Sequence, residues 1–301
     1  MTERSNSMPT RSTTFSDAGH LQRADSTVIG FRDPHLLWLD KNENTDPTYL
    51  SLIFKVLAEI DPRSVVLYPD VAPFYHKLAE YIGVSPRSLI LAQGSDGVIG
   101  SVFRAFVEPG DVVFLTHPTY SMYQFYTVMC GADTTVLEYR PSERGPKLES
   151  KSIIEMIRER LPKLICLPNP DSPTGTVFMP NDLRLIIRSA FEANSLILID
   201  EAYYPFYFHT VAPWIEEFPN LIVARSFSKA WGLSGVRLGY GLASPEVTVM
   251  LHKVRPNYET NGVAVAMAHS MISDLDHEMI ASVNRLNQGR DYFLSAMKEL
   301  G

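Results

Sequence analysis

Residues 196–203 read Leu196-Ile197-Leu198-Ile199-Asp200-Glu201-Ala202-Tyr203, and the fold class turns on them. Four consecutive branched aliphatic side chains give an apolar run without alternation, the pattern of a strand buried on both faces. The run ends on a carboxylate. Just upstream, Leu183–Ala193 has the apolar spacing of a helix, and downstream Leu221–Ala224 is a further short apolar run. The alternation continues toward the N-terminus through runs at Ser88–Ala92, Val112–Thr116, Thr135–Glu138 and Leu164–Leu167, with helical stretches at Val98–Val107 and Ile153–Arg160. Short strands alternating with helices predict an α/β fold whose mostly parallel sheet is covered on both faces.

The flanks read differently. An amphipathic helix near Tyr49–Glu59 is broken by Pro62, and a second over Phe74–Ile82 is ended by Gly83. From Gly262 onward the pattern is helical, first Ala264–Ile272 and then about His277–Leu300. In the second stretch Ile280, Val283, Leu286, Phe293, Met297 and Leu300 fall at helical spacings. Gly301 stands where a helix C-cap would redirect the chain, so a further strand pair is expected beyond it. Residues 1–27 are polar, rich in Ser, Thr and Arg, and read as a flexible arm. They lack the continuous apolar core of a signal peptide or a membrane span, which makes a soluble cytoplasmic protein the expectation.

Composition narrows the function classes. With 45% hydrophobic and 20% charged residues, the 301-residue chain is neither disordered nor collagen-like, nor is it a disulfide scaffold. Its 27 basic and 34 acidic side chains leave a net charge of −7, which disfavours an electrostatic nucleic-acid binder. Cys130 and Cys166 sit in apolar segments without metal-ligand spacing, so no metal is expected; they read as core thiols or as a disulfide pair.

Ligands of open parallel sheets bind beyond the carboxyl ends of the strands, and polar signals collect there. Gln93-Gly94-Ser95-Asp96-Gly97 follows one run and opens a helix, which suits either a phosphate cradle or a plain strand-to-helix turn. Asp200 is either an N-cap or the partner of a cationic ligand group such as a protonated ring nitrogen. Ser226-Phe227-Ser228-Lys229 follows another run, with Gly232, Gly235 and Arg237 beyond it. Lysines are usually solvated. A desolvated lysine near other cations attacks carbonyls as a neutral amine, and an arginine in the same pocket suits a phosphate. Pro168-Asn169-Pro170-Asp171-Ser172-Pro173-Thr174-Gly175 is a rigid turn with or without a further role, and Tyr120 is a stacking ring or an ordinary tyrosine. A phosphate cradle, a carboxylate for a ring nitrogen, a Schiff-base lysine and a stacking aromatic together describe a pyridoxal phosphate site.

From Leu39 onward the chain resembles the fold-type I, class I/II pyridoxal-phosphate aminotransferases, and within them the histidinol-phosphate aminotransferase branch. The segments that carry the resemblance are Asp40–Pro47, Leu67-Tyr68-Pro69, Gly94–Gly97, Pro118–Tyr120, Pro173–Gly175, Asp200–Tyr203 and Ser226–Arg237. The resemblance implies an α/β/α sandwich with a mixed, mostly parallel sheet over residues 61–261, which forms the large cofactor domain. It also implies a small α+β domain built from residues 28–60 and 262–301. Lys229 resembles the lysine that holds pyridoxal 5'-phosphate as a Schiff base and moves the substrate Cα proton. Asp200 matches the carboxylate on the pyridine nitrogen, and Tyr203 the phenol on the 3′-oxygen. Ser95, Asp96 and Gly97 resemble the phosphate-binding backbone, Ser226, Ser228 and Arg237 its side-chain partners, and Tyr120 the ring stacked on the pyridine. Tyr68 is similar to the tyrosine that reaches the neighbouring subunit's phosphate, which implies a homodimer with sites at the subunit interface.

Two departures stand out. Ser172 occupies the position where the family usually carries an asparagine that donates to the 3′-oxygen. The arginine that grips the substrate carboxylate belongs, in the family, to a part of the small domain beyond Gly301. Asn42, Glu43, Asn44 and Tyr49 lie in the segment that lines the family's substrate side, and Trp38 and Trp231 are either part of the site or core. The implied activity moves an amino group between a small-molecule donor, histidinol phosphate among the candidates, and a 2-oxo acid such as 2-oxoglutarate. A threonine-phosphate-like decarboxylase and a non-catalytic relative are the alternatives.

Overall fold

Successive side chains of a strand point to opposite faces, so a sheet covered on both sides needs two apolar layers. The computed structural model describes Asp33, His35, Leu36, 38–143 and 145–300, and has both layers. Ile197 and Ile199 feed one cluster and Leu198 the other; Leu221 and Val223 alternate with Ile222 and Ala224 in the same way. Seven strands form the sheet: β1 (Leu89–Ala92), β2 (Val112–His117), β3 (Asp133–Glu138), β4 (Leu164–Pro168), β5 (Leu196–Asp200), β6 (Leu221–Ser226) and β7 (Gly239–Ala243). Their order is β1-β7-β6-β5-β4-β2-β3. β7 runs antiparallel to both neighbours, and every other pairing is parallel. The α/β/α sandwich with a mixed, mostly parallel sheet is therefore present.

One face carries α1 (Pro47–Glu59), α3 (Ala72–Ile82), α6 (Ser150–Arg160), α7 (Pro180–Glu192), α9 (Gly262–Asp274) and α10 (Asp276–Leu300), and the one-turn helix α2 (Arg63–Val66) packs on α9. The other face carries α4 (Gly94–Phe106), α5 (Ser121–Met129) and α8 (Pro245–Val254). The strand absent from the sequence reading is β7, Gly-Tyr-Gly-Leu-Ala. Two glycines in five residues erase the strand signature, and packing explains them. A Cβ on Gly241 would lie 2.8 Å from Val98 of α4, and one on Gly239 would lie 2.3 Å from the Gly94 backbone.

The two ends of the chain meet beside the sheet. Asn44 Nδ2 donates to Ser282 Oγ at 3.0 Å, and the Arg285 guanidinium pairs with Asp46. Along α10, Val283 is buried, whereas Phe293, Met297 and Leu300 are exposed. Cys130 and Cys166 are free thiols, and burial pushes both up from the ordinary thiol range. No helix among the described residues is long and apolar enough to cross a membrane. The arm at residues 1–27 and the cap at Gly301 lie outside the described residues.

Candidate active site

The carboxyl ends of the parallel strands and the amino end of β7 converge, because Ser226 and Ala92 both stand in register with Gly239. A cavity of about 380 Å³ opens at this edge, inside the range of small-molecule sites. After β1, Gly94 turns the chain at φ +76° and places Ser95 and Asp96 in the first turn of α4. The first amides of a helix have no intrahelical partner and favour an anion. Tyr120 caps α5 after β2, and Ser172 comes from the loop after β4. Asp200 ends β5 with Tyr203 in the next turn, and β6 leads into Ser226, Ser228 and Lys229. Arg237, at φ +57°, arrives two residues ahead of β7. All of these line the one cavity.

Two expected residues do not. Gly97 borders a neighbouring cavity beside Glu259. Tyr68 is 74% exposed and stacks on Tyr258 with ring centroids 4.0 Å apart, at the edge of a different cleft.

Asp200 sets the field of the cavity. It is 5% exposed, and burial pushes its carboxyl up to about 6, aided by the negative charges of Asp96 and Glu201. Tyr123 donates to Oδ2 at 2.8 Å and the Ala202 amide to Oδ1 at 2.9 Å, two contacts that favour the ionised form. Among the described residues no cationic side chain pairs with it. A buried carboxylate of this kind is costly until a cation arrives.

The same cavity holds two cations. Lys229 Nζ donates to the Lys41 carbonyl at 2.6 Å and stands 5.6 Å from the centre of the Tyr203 ring. Arg237 donates to Ser228 Oγ and the Ser234 carbonyl, both at 3.2 Å, while Ser226 Oγ accepts the Ser228 amide. Neither Lys229 nor Arg237 forms an ion pair among the described residues. Gly94 is favoured here by its φ of +76°, which strains any side chain, and a Cβ would sit 2.9 Å from Arg237 Nη2, so the guanidinium would have to shift.

Several residues escaped the sequence reading. Tyr123 lies one helical turn after Tyr120, and that spacing was its only signal. Lys41 lines the cavity from a segment remote in sequence, beside Asn42, which the resemblance did place on the substrate side and which lines the cavity too. Thr119 and Thr174 both donate to the buried Asp171, closing the loop that presents Ser172. Asn169 is spent on the Phe178 amide at 2.8 Å. Tyr49 and Trp231 are core, and Trp38 is exposed, so none of the three lines the cavity. Asn44 ties the chain through Ala230 and Ser282, and Glu43 borders an adjoining cavity.

This donor set fits pyridoxal phosphate. A helix N-terminus, two serines and an arginine without an ion pair suit a phosphate, a buried carboxylate without a cationic partner suits a protonated ring nitrogen, and a lysine shares the cavity with them.

Comparison with known proteins agrees. The chain is 34% identical over 237 residues to the histidinol-phosphate aminotransferase of Thermoanaerobacter pseudethanolicus, covering 78% of this chain and 66% of that relative. It thus spans just under two thirds of that relative's length. The crystal structure of histidinol-phosphate aminotransferase from Sinorhizobium meliloti in complex with pyridoxal-5'-phosphate superposes with a TM-score of 0.72 at 25% identity, over 83% of this chain and 67% of that one. Aspartate aminotransferase from Thermus thermophilus shares the fold, with a TM-score of 0.72 at 20% identity over 84% of this chain and 69% of that one. The family model described as aminotransferase class I and II matches residues 34–301, and by that span the chain belongs to the class I and II aminotransferases.

Proposed function

We propose that this protein is a pyridoxal-phosphate-dependent aminotransferase. In this reading it moves an amino group between an amino acid or amino-acid-like donor, histidinol phosphate among them, and a 2-oxo acid such as 2-oxoglutarate. The observation that carries the reading is one cavity lined by a buried carboxylate without a cationic partner, Asp200, and by two cations without an ion pair, Lys229 and Arg237. Bound there, the cofactor supplies an electron sink for the charge left when a bond to the substrate carbon breaks.

The chain's own residues do the rest. Asp200, ionised, holds a proton on the ring nitrogen's side of the cavity and keeps that side positive. Ser95 and Asp96 at the start of α4, with Ser226, Ser228 and Arg237, would bind the phosphate, while Gly97 lies behind them against the neighbouring cavity. Tyr120 covers the ring face, with Tyr123 edge-on behind it at 5.8 Å. Tyr203 and Ser172 face the ring oxygen. Lys229 would hold the cofactor covalently and, as a free amine, would take and return the Cα proton.

The test is spectroscopic. Pyridoxal phosphate added to the protein is expected to give a visible absorption band, and glutamate is then expected to convert it to the shorter-wavelength amine form. Absence of any band would sink the reading. Carbon dioxide release without the amine form would replace it with a decarboxylase.

The same reading makes the protein a cytoplasmic homodimer, with residues 28–60 and 262–301 as its small domain and 61–261 as its large one. Val65, Val66 and Tyr68 are 72%, 77% and 74% exposed, an apolar surface suited to a second copy whose Tyr68 completes the phosphate site. Cofactor retention is expected to rise with protein concentration in step with the dimer fraction seen by sedimentation. Equal retention by a monomer would refute the shared site.

A further inference from the structure

We propose that Asn42 aims the hydroxyl hydrogen of Tyr203, and thereby supplies the cofactor's ring oxygen with the firm donor that Ser172 is too short to be. The inference rests on the pyridoxal phosphate reading above and goes beyond it to a residue outside the cofactor-binding set.

Asn42 Nδ2 lies 2.9 Å from Tyr203 Oη. An amide NH2 only donates, so the phenol oxygen accepts and its own hydrogen must leave in another direction. On the described residues the one remaining polar partner of Tyr203 is Ser172 Oγ, at 3.5 Å, the outer limit of a hydrogen bond. The phenol hydrogen is thus turned to the Ser172 side of the cavity without being consumed there. Asn42 is suited to this placement. Its φ is +52°, in the left-handed region that asparagine enters more readily than most residues.

The neighbouring residue does the matching work for the amine. Lys41 accepts from Lys229 Nζ through its carbonyl, so two consecutive residues of one segment orient both side chains that face the ring. A donor aimed at the ring oxygen draws negative charge away from the Lys229 nitrogen, which then gives up its proton at lower pH. Asn42 acts through Tyr203, and is therefore a positioning residue.

The experiment is a pH titration of the visible absorption of the protein loaded with pyridoxal phosphate. Asn42→Gly removes the amide without straining the positive φ. Asn42→Asp keeps the shape and the left-handed tolerance but presents an acceptor, which turns the Tyr203 hydrogen toward itself. The titration midpoint is expected to rise by roughly half to one pH unit in Asn42→Gly and by about one unit or more in Asn42→Asp, the scale of one hydrogen bond. Adding Ser172→Asn to Asn42→Gly is expected to bring the midpoint back down. Midpoints equal to the parent's, or a lower one in Asn42→Asp, overturn the proposal while leaving the cofactor reading intact. If Asn42→Asp does not load, Asn42→Gly with and without Ser172→Asn decides by the same criterion. A parent protein without a visible band overturns the cofactor reading, and this inference with it.

Discussion

Lys229→Ala is expected to give a folded protein that never develops the visible absorption of bound pyridoxal phosphate and turns over at least about 10³-fold more slowly, the upper part of the range for losing a general acid–base group. The fold should tolerate the change. Nζ donates to the Lys41 carbonyl, and no ion pair holds it among the described residues. The expected stability change is therefore about 1 kcal/mol or less, the scale of one hydrogen bond. Circular dichroism and a thermal melt check the fold, while absorption and single-turnover kinetics check the chemistry. A visible band that survives the substitution would remove Lys229 from its assigned role.

Asp200→Asn is expected to cut turnover by roughly 10² to 10³-fold, the scale set by removing one preorganised electrostatic partner. The amide keeps the size of the side chain but cannot carry the charge that holds the ring nitrogen's proton. The same substitution has a second signature, in the stability of the cofactor-free protein. Burial raises the Asp200 carboxyl from 3.8 to about 6, so the folded chain binds this proton more tightly than the unfolded chain does. Stability contributed by Asp200 is therefore present below the unfolded value, lost as pH rises through the folded one, and gone above it. The gap of roughly two pH units corresponds to about 3 kcal/mol. Melts of the parent protein between the unfolded value of 3.8 and the folded value of about 6 are expected to lose stability with rising pH relative to Asp200→Asn, whose amide does not titrate. A bound cation should erase the difference, so loaded parent protein should not show it. Parallel pH profiles for parent and variant without cofactor would show that Asp200 is not the buried, uncompensated charge described above.

Most of the sheet was legible because its strands are apolar runs closed by turn residues. Leu164–Pro168 is buried along its whole length and Leu196–Asp200 from Ile197 onward, and burial on both faces is what a run without alternation signals. β7 was illegible for the converse reason. Its glycines answer to Val98 and to the Gly94 backbone, contacts that exist only after folding. The site divides in the same way. Asp200, Lys229 and Arg237 were readable because charges at the ends of buried strands demand a partner. Tyr123, an ordinary helical tyrosine in sequence, gains its meaning only from the 2.8 Å contact with Asp200, and Asn42 from a contact across 161 residues.

That separation has a consequence for biosynthesis. Asn44 and Asp46 emerge from the ribosome early, yet their partners Ser282 and Arg285 follow 238 and 239 residues later. The segment carrying Lys41 and Asn42 is therefore translated long before the partners that fasten it. Until residues 282–285 have been made, the sheet can form and bury its two apolar layers while the segment that accepts from Lys229 stays unfastened. Vectorial synthesis thus orders assembly: sheet first, the segment that holds Lys229 afterwards.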